Sequence, residues 1–92
     1  MNPIKAICID DKNRPNEIPL YRWVKEGEAY TIIQIDRLTQ QGVYGCKLSE
    51  INNDDLFPYQ YFSLERFAQV FPINAGEVLD EMKVIEENLQ LA

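Results

Sequence analysis

Few side chains in this chain have the type and spacing that catalysis requires. There is no histidine, so general acid-base work near neutral pH would fall to carboxylates. The carboxylate groups are Asp10-Asp11 and Asn53-Asp54-Asp55. Both sit in turn-like stretches, where Asp and Asn are favoured because they hydrogen-bond the local backbone. Neither has the spacing of a calcium loop. Ser49 and Ser63 lie outside any nucleophile-elbow context, and no Gly-rich phosphate loop is present. Cys8 and Cys46 do not form a Cys-x-x-Cys pair, and no histidine completes a zinc site. They read as two buried thiols acting as small apolar residues, against a disulfide or a reactive thiol. The expectation is a protein that is not an enzyme, with no catalytic residue, no cofactor and no metal.

The charge pattern narrows the partners. The 92 residues carry a net charge of −6. Residues 1–48 hold seven Lys/Arg against six Asp/Glu, and residues 49–92 hold two against nine. So acidic a chain is a poor binder of phosphate backbones, which demand several cations on one surface. The cations of the first half leave a nucleic-acid-associated barrel as the alternative, with aromatic rings for base stacking. Nothing at the N-terminus resembles a signal peptide, and no run approaches the roughly 20 apolar residues of a membrane helix. A cytoplasmic, reducing setting without membrane contact is the expectation.

The elements that would carry any site are mostly strands. Ile4–Asp10 is short, Ile-rich and apolar on nearly both faces, as in a central strand. Residues 11–22 contain Pro15 and Pro19 and form a long loop. Ile18, Leu20 and Tyr21 should fold that loop back onto the body. Lys25-Glu26-Gly27-Glu28 reads as a turn. The run from Tyr30 to Arg37 alternates as a half-buried strand, with Ile33 and Ile35 the expected core pair and Tyr30 and Ile32 in a second layer. Thr39–Gly42 is the next turn, and Val43–Leu48 a strand in which Gly45 implies a bulge or sharp bend. Leu56–Phe62 is an aromatic connector broken by Pro58. Ser63–Phe67 fits one 3₁₀ turn capped by Ser63, and Ala68–Phe71 a short last strand.

From Asn74 the pattern changes. Asn74 and Glu77 have capping-box spacing, and Val78, Met82, Ile85 and Leu89 recur at helical steps. The spacing predicts an amphipathic helix within 74–91, its stripe packing on the barrel or forming a homo-oligomer or partner interface. The predicted organisation is a small β-barrel domain over 1–71 followed by that helix.

Four pieces in order, Ile7-Cys8-Ile9-Asp10, Val24-Lys25-Glu26-Gly27-Glu28-Ala29-Tyr30, Val43-Tyr44 and Tyr61-Phe62 with Arg66-Phe67, resemble a group of small, largely uncharacterised phage and bacterial proteins with a Src-homology-3-like barrel. The resemblance covers about residues 4–70. It implies a mainly β fold, a five-stranded Src-homology-3-like barrel here extended by the C-terminal amphipathic α-helix. It transfers no catalytic residue. In peptide-binding barrels of that type a groove lies between the first long loop and the late 3₁₀ turn. The matching regions carry Tyr21 and Trp23 on one side, and Phe57, Tyr59 and Tyr61 on the other. These five are the candidate partner-binding residues of a protein-interaction module. Read as packing, the same rings supply the core bulk and loop anchors a small domain needs. Tyr21 and Tyr59 are the two expected to be partly exposed.

Overall fold

A computed structural model describes residues 3–38, 43–69, 83–85 and 89–92. The described chain is mainly β. Strands β1 (Ile4–Cys8), β2 (Ala29–Leu38), β3 (Val43–Leu48), β4 (Phe62–Ser63) and β5 (Phe67–Gln69) form an antiparallel sheet in the order β4-β3-β2-β1-β5. A sixth strand, β6 (Lys83–Ile85), pairs with β2 in parallel. Two 3₁₀ turns, Leu20–Arg22 and Leu64–Arg66, interrupt the long first loop and the β4–β5 link. The expected barrel is, among the described residues, a sheet with no ladder between β4 and β5.

β2 organises the sheet because three partners share its length. Its first part pairs with β1, from Ile4 opposite Ile32 to Ile7 opposite Ala29. Its second part pairs with β3, from Ile32 opposite Leu48 to Leu38 opposite Val43. β1 stops at Ile4, which leaves one edge of Asp36–Leu38 open, and β6 fills it. A register shift between Ile32 and Gln34 marks a bulge. The bulge turns Ile33 outward, 45% exposed, while Tyr30, Ile32 and Ile35 all reach the main core. The expected pairing of Ile33 with Ile35 is therefore wrong. Strict alternation fails where one extra residue is inserted into a strand. Beyond the bulge Ile35 stays in the main core, whereas Asp36 and Leu38 are buried elsewhere, Leu38 in a second cluster with Tyr61 and Leu89.

Gly45 has a different reason from the one expected. The bulge is in β2, not at Gly45. A Cβ placed on Gly45 would lie 2.7 Å from Leu91 Cδ2 and 2.9 Å from Tyr61 Cβ. Glycine stands there because two side chains lie directly on the backbone. Gly27 meets its expectation, with φ +89° in the turn before β2. Ser63 precedes the second 3₁₀ turn, but its side chain makes no capping bond. Central placement of β1 between β2 and β5 holds, but the strand is not covered on both faces. Ile7 and, just beyond it, Ile9 are 40% and 52% exposed.

At the C-terminus the described residues are extended rather than helical. Lys83–Ile85 are β6, and Leu91 bridges Tyr61 in parallel. The remainder of the expected helix, with Val78 and Met82, lies outside the described residues, as does the expected turn at 39–42. Ile85 belongs to a strand, and Leu89 is buried with Leu38 and Tyr61. Among the described residues no helix is long and apolar enough to cross a membrane.

Candidate partner-binding face

The long loop between β1 and β2 is held by its own apolar residues. Ile18 and Val24 are buried in the main core, and Trp23 is 8% exposed. The Trp23 ring lies 5.7 Å from that of Phe62, and the Arg66 guanidinium stands over it at 4.9 Å. Its indole N–H donates to the Asp11 carbonyl at 2.8 Å. Trp23 is thus an anchor of the loop and not a solvent-facing contact. Tyr61 leaves the candidate list for the same reason. It is 4% exposed, and its hydroxyl donates to Asp36 Oδ2 at 2.6 Å.

The turn before Trp23 behaves in the opposite way. Pro19 fixes an extended φ ahead of Leu20–Arg22, and the Trp23 N–H closes the turn on the Leu20 carbonyl at 3.1 Å. With Trp23 turned inward, the preceding pair points out. Leu20 is 73% exposed and Tyr21 80%. Folding the loop back therefore falls to Ile18, and not to Leu20 or Tyr21.

A second loop, 53–58, is pinned to this turn. Arg22 Nη1 donates to Asp55 Oδ1 at 2.6 Å, and Asn53 Nδ2 donates to the Arg22 carbonyl at 3.4 Å. The bond to Asp55 holds Arg22 above its usual pKa, and the same bond holds Asp55 below the ordinary carboxylate range. The pair is exposed, so it fixes geometry more than it adds stability. Phe57, in this loop, is 63% exposed, and Tyr59 is partly buried against the main core. Of the five candidate rings, the structure therefore places Tyr21 and Phe57 in solvent on two tied loops, Tyr59 at the core margin, and Trp23 and Tyr61 inside. Leu20 was missed because nothing local shows which way a short turn faces. The Arg22–Asp55 pin joins residues too distant in sequence to be read as a pair.

Asp10 and Asp11 accept from turn backbone, as expected, whereas the Asp54 and Asp55 carboxylates pair with Lys47 at 2.8 Å and Arg22 at 2.6 Å. The Lys12 N–H donates to Asp10 Oδ1 at 2.9 Å and the Glu26 N–H to Asp11 Oδ2 at 3.0 Å. The Asp54 N–H donates to Asn52 Oδ1 at 2.9 Å. Among the described residues no group of three His, Cys, Asp or Glu side chains is placed to hold a metal ion. An open depression beside Leu20 is lined by Asp11, Arg14, Leu20, Trp23, Val24 and Lys25. A tighter one of about 40 Å³, which includes Lys47, Leu48, Asn53 and Phe62, has room for little more than water.

Both cysteines are free and buried. Burial pushes the Cys8 thiol up, and pushes that of Cys46 up to about 12. An unfolded thiol titrates near 8.5, so the folded state favours neutral Cys46. That contribution is complete below about pH 8.5 and is lost as pH rises toward 12. The thiolate is the reactive form. At pH 8 the folded chain is expected to resist iodoacetamide, with Cys46 modified only at the rate of unfolding. Mass spectrometry of timed samples checks this, and rapid Cys46 labelling in the folded chain would contradict its burial.

Compared with known protein families, curated proteins and solved structures, the chain matches none.

Proposed function

We propose that the chain is a non-enzymatic protein-interaction module of the cytoplasm, built on a Src-homology-3-like barrel and of phage or mobile-element origin. The strand order β4-β3-β2-β1-β5, the long loop between β1 and β2 and the 3₁₀ turn between β4 and β5 support the barrel reading. The observation that carries the function is the pair of tied loops. Leu20, Tyr21 and Phe57, each more than 60% exposed, stand on loops joined by Arg22–Asp55 and Asn53. Large apolar side chains on a fixed backbone bind at little entropic cost, and aromatic residues dominate such contacts.

The test pans a displayed random-peptide library on the immobilised chain. Enriched peptides are expected to lose about tenfold in affinity, or about 1.4 kcal/mol, on Tyr21→Ala or Phe57→Ala. Tyr44→Ala, on β3, is expected to leave binding unchanged. Peptides that bind all three variants alike, or a library that enriches nothing, would refute the assignment. The nucleic-acid alternative draws on one contact, the Arg22 guanidinium 5.7 Å from the exposed Tyr21 ring. Salt-dependent binding of single-stranded oligonucleotides would favour it, and absence of binding at low salt would eliminate it.

A further inference from the structure

The open depression beside Leu20 combines an apolar floor with unpaired positive charge. Trp23 and Val24 line it but are only 8% and 2% exposed, so what they present is a floor. Leu20, largely exposed, stands at its side. Arg14, Lys25 and Asp11 complete the lining. Arg22, Lys47 and Arg66 are paired with Asp55, Asp54 and Asp10. Arg14 and Lys25 have no carboxylate partner among the described residues.

Both cations are held where they stand. Arg14 Nη1 donates to the Ile18 carbonyl, and the rest of its guanidinium fork makes no bond among the described residues. The Lys25 N–H donates to the Tyr30 hydroxyl at 2.8 Å, and the Lys25 carbonyl accepts from the Glu28 N–H at 3.0 Å. The backbone of Lys25 is thus fixed while its side chain is exposed. Asp11 offsets the two cations in part, but it is turned to its own loop. Its Oδ2 accepts from the Glu26 N–H and its carbonyl from the Trp23 indole.

We infer that this depression receives an acidic peptide segment, with a large apolar side chain on the Trp23–Val24 floor and a neighbouring Asp or Glu carboxylate on Arg14 and Lys25. The inference rests on the peptide-binding reading and adds the chemistry of the peptide to it. A guanidinium fork offers parallel N–H groups to both oxygens of a carboxylate, and an ammonium group adds a point charge beside it. At physiological salt charges are screened over about 8 Å, so the local pair outweighs the −6 of the whole chain at this spot. A polynucleotide fits less well. It would lay further phosphates along an acidic chain, where it needs repeated cations.

The test measures binding of the panned peptides to full-length variants. Enriched peptides are expected to carry Asp or Glu next to a large apolar residue. Lys25→Glu is expected to weaken them about tenfold. Replacing the acidic residue of the peptide by Lys is expected to restore binding to Lys25→Glu while weakening binding to the unaltered chain. Damage to the loop would not produce that crossed rescue. Arg14→Gln is expected to weaken the acidic peptides with the near-ultraviolet dichroism of Trp23 unchanged. Should Arg14→Gln disturb the loop, Lys25→Glu and its rescue decide. Enriched peptides without acidic residues, or equal binding to the unaltered chain and Lys25→Glu, overturn the inference. If those same peptides still weaken on Tyr21→Ala, the peptide-binding reading stands without it, and a library that enriches nothing overturns both. A single-stranded oligonucleotide that displaces the peptide from the unaltered chain, and binds it more tightly than Lys25→Glu, would assign the cations to phosphate and overturn the inference as well.

Discussion

Phe62→Ala is expected to destabilise the chain by about 3–5 kcal/mol, the range for deleting a fully buried aromatic side chain. Phe62 is 1% exposed, and its ring lies 5.7 Å from that of Trp23 and 6.4 Å from that of Phe67. It is therefore the point at which the long first loop, β4 and β5 meet. The loss has two parts, the transfer of the ring back to water and the void left behind. Neighbours cannot easily close that void. Trp23 is held by its bond to the Asp11 carbonyl, and Phe67 is held in the β1–β5 ladder. A domain of this size has roughly 5–14 kcal/mol of total stability, so the substitution removes a large part of it. A urea titration followed by the fluorescence of the single tryptophan measures the change. Phe57→Ala is the control. That ring is 63% exposed, and its removal is expected to cost less than about 0.5 kcal/mol. Equal effects at the two positions would mean that Phe62 is not the centre of the core.

The contrast between these two phenylalanines shows what the sequence can and cannot express. Strand existence was readable because it depends on local composition. Ile4–Cys8, Ala29–Leu38 and Val43–Leu48 are rich in β-branched and aromatic residues, and the Gly27 turn needs only one permissive residue. The inward face of β2 was not readable. The bulge at Ile33 arises from pairing with β3, and the inserted residue shifts the phase, so that Ile32 and Ile35 share the main core while Ile33 faces out. Gly45 carried a true signal with two physical meanings, a bend or a close approach, and only the positions of Tyr61 and Leu91 decide between them. The C-terminal stripe was misread at Lys83–Ile85 for a similar reason. Periodicity reports what a segment could bury, and a parallel pairing with Asp36–Leu38 overrides it from far along the chain. Of the candidate site, Tyr21 and Phe57 were legible as loop aromatics. Their exposure depends on where Trp23 and Ile18 turn inward, which is a property of the packed loop.

Tyr61→Phe tests the second cluster, and it is expected to cost about 1–3 kcal/mol although it removes a single oxygen. The Tyr61 hydroxyl donates at 2.6 Å to Asp36 Oδ2, in a residue that is 1% exposed, and Gln34 Nε2 donates to the same oxygen. Without the hydroxyl that acceptor has one donor fewer, in a place water does not reach. The ring itself keeps its position under the Lys47 ammonium, 4.9 Å from its centre, so the loss reports the polar contact more than packing. The companion substitution separates the two. Asp36→Leu alone leaves the hydroxyl without this acceptor and is expected to cost as much or more. Replacing both partners removes donor and acceptor together, so the double variant is expected to be more stable than the sum of the single losses by about 0.5–3 kcal/mol. Strict additivity would show that the hydroxyl and the carboxyl group act independently. Coupling has a structural consequence as well. Asp36 pairs through its backbone with Lys83, and Tyr61 with Ala92. The side-chain contact therefore ties together the two backbone positions on which the C-terminal segment docks. Its loss is expected to speed hydrogen exchange at the Ala92 amide more than at Ala6, which lies within the β1 ladders of the main core.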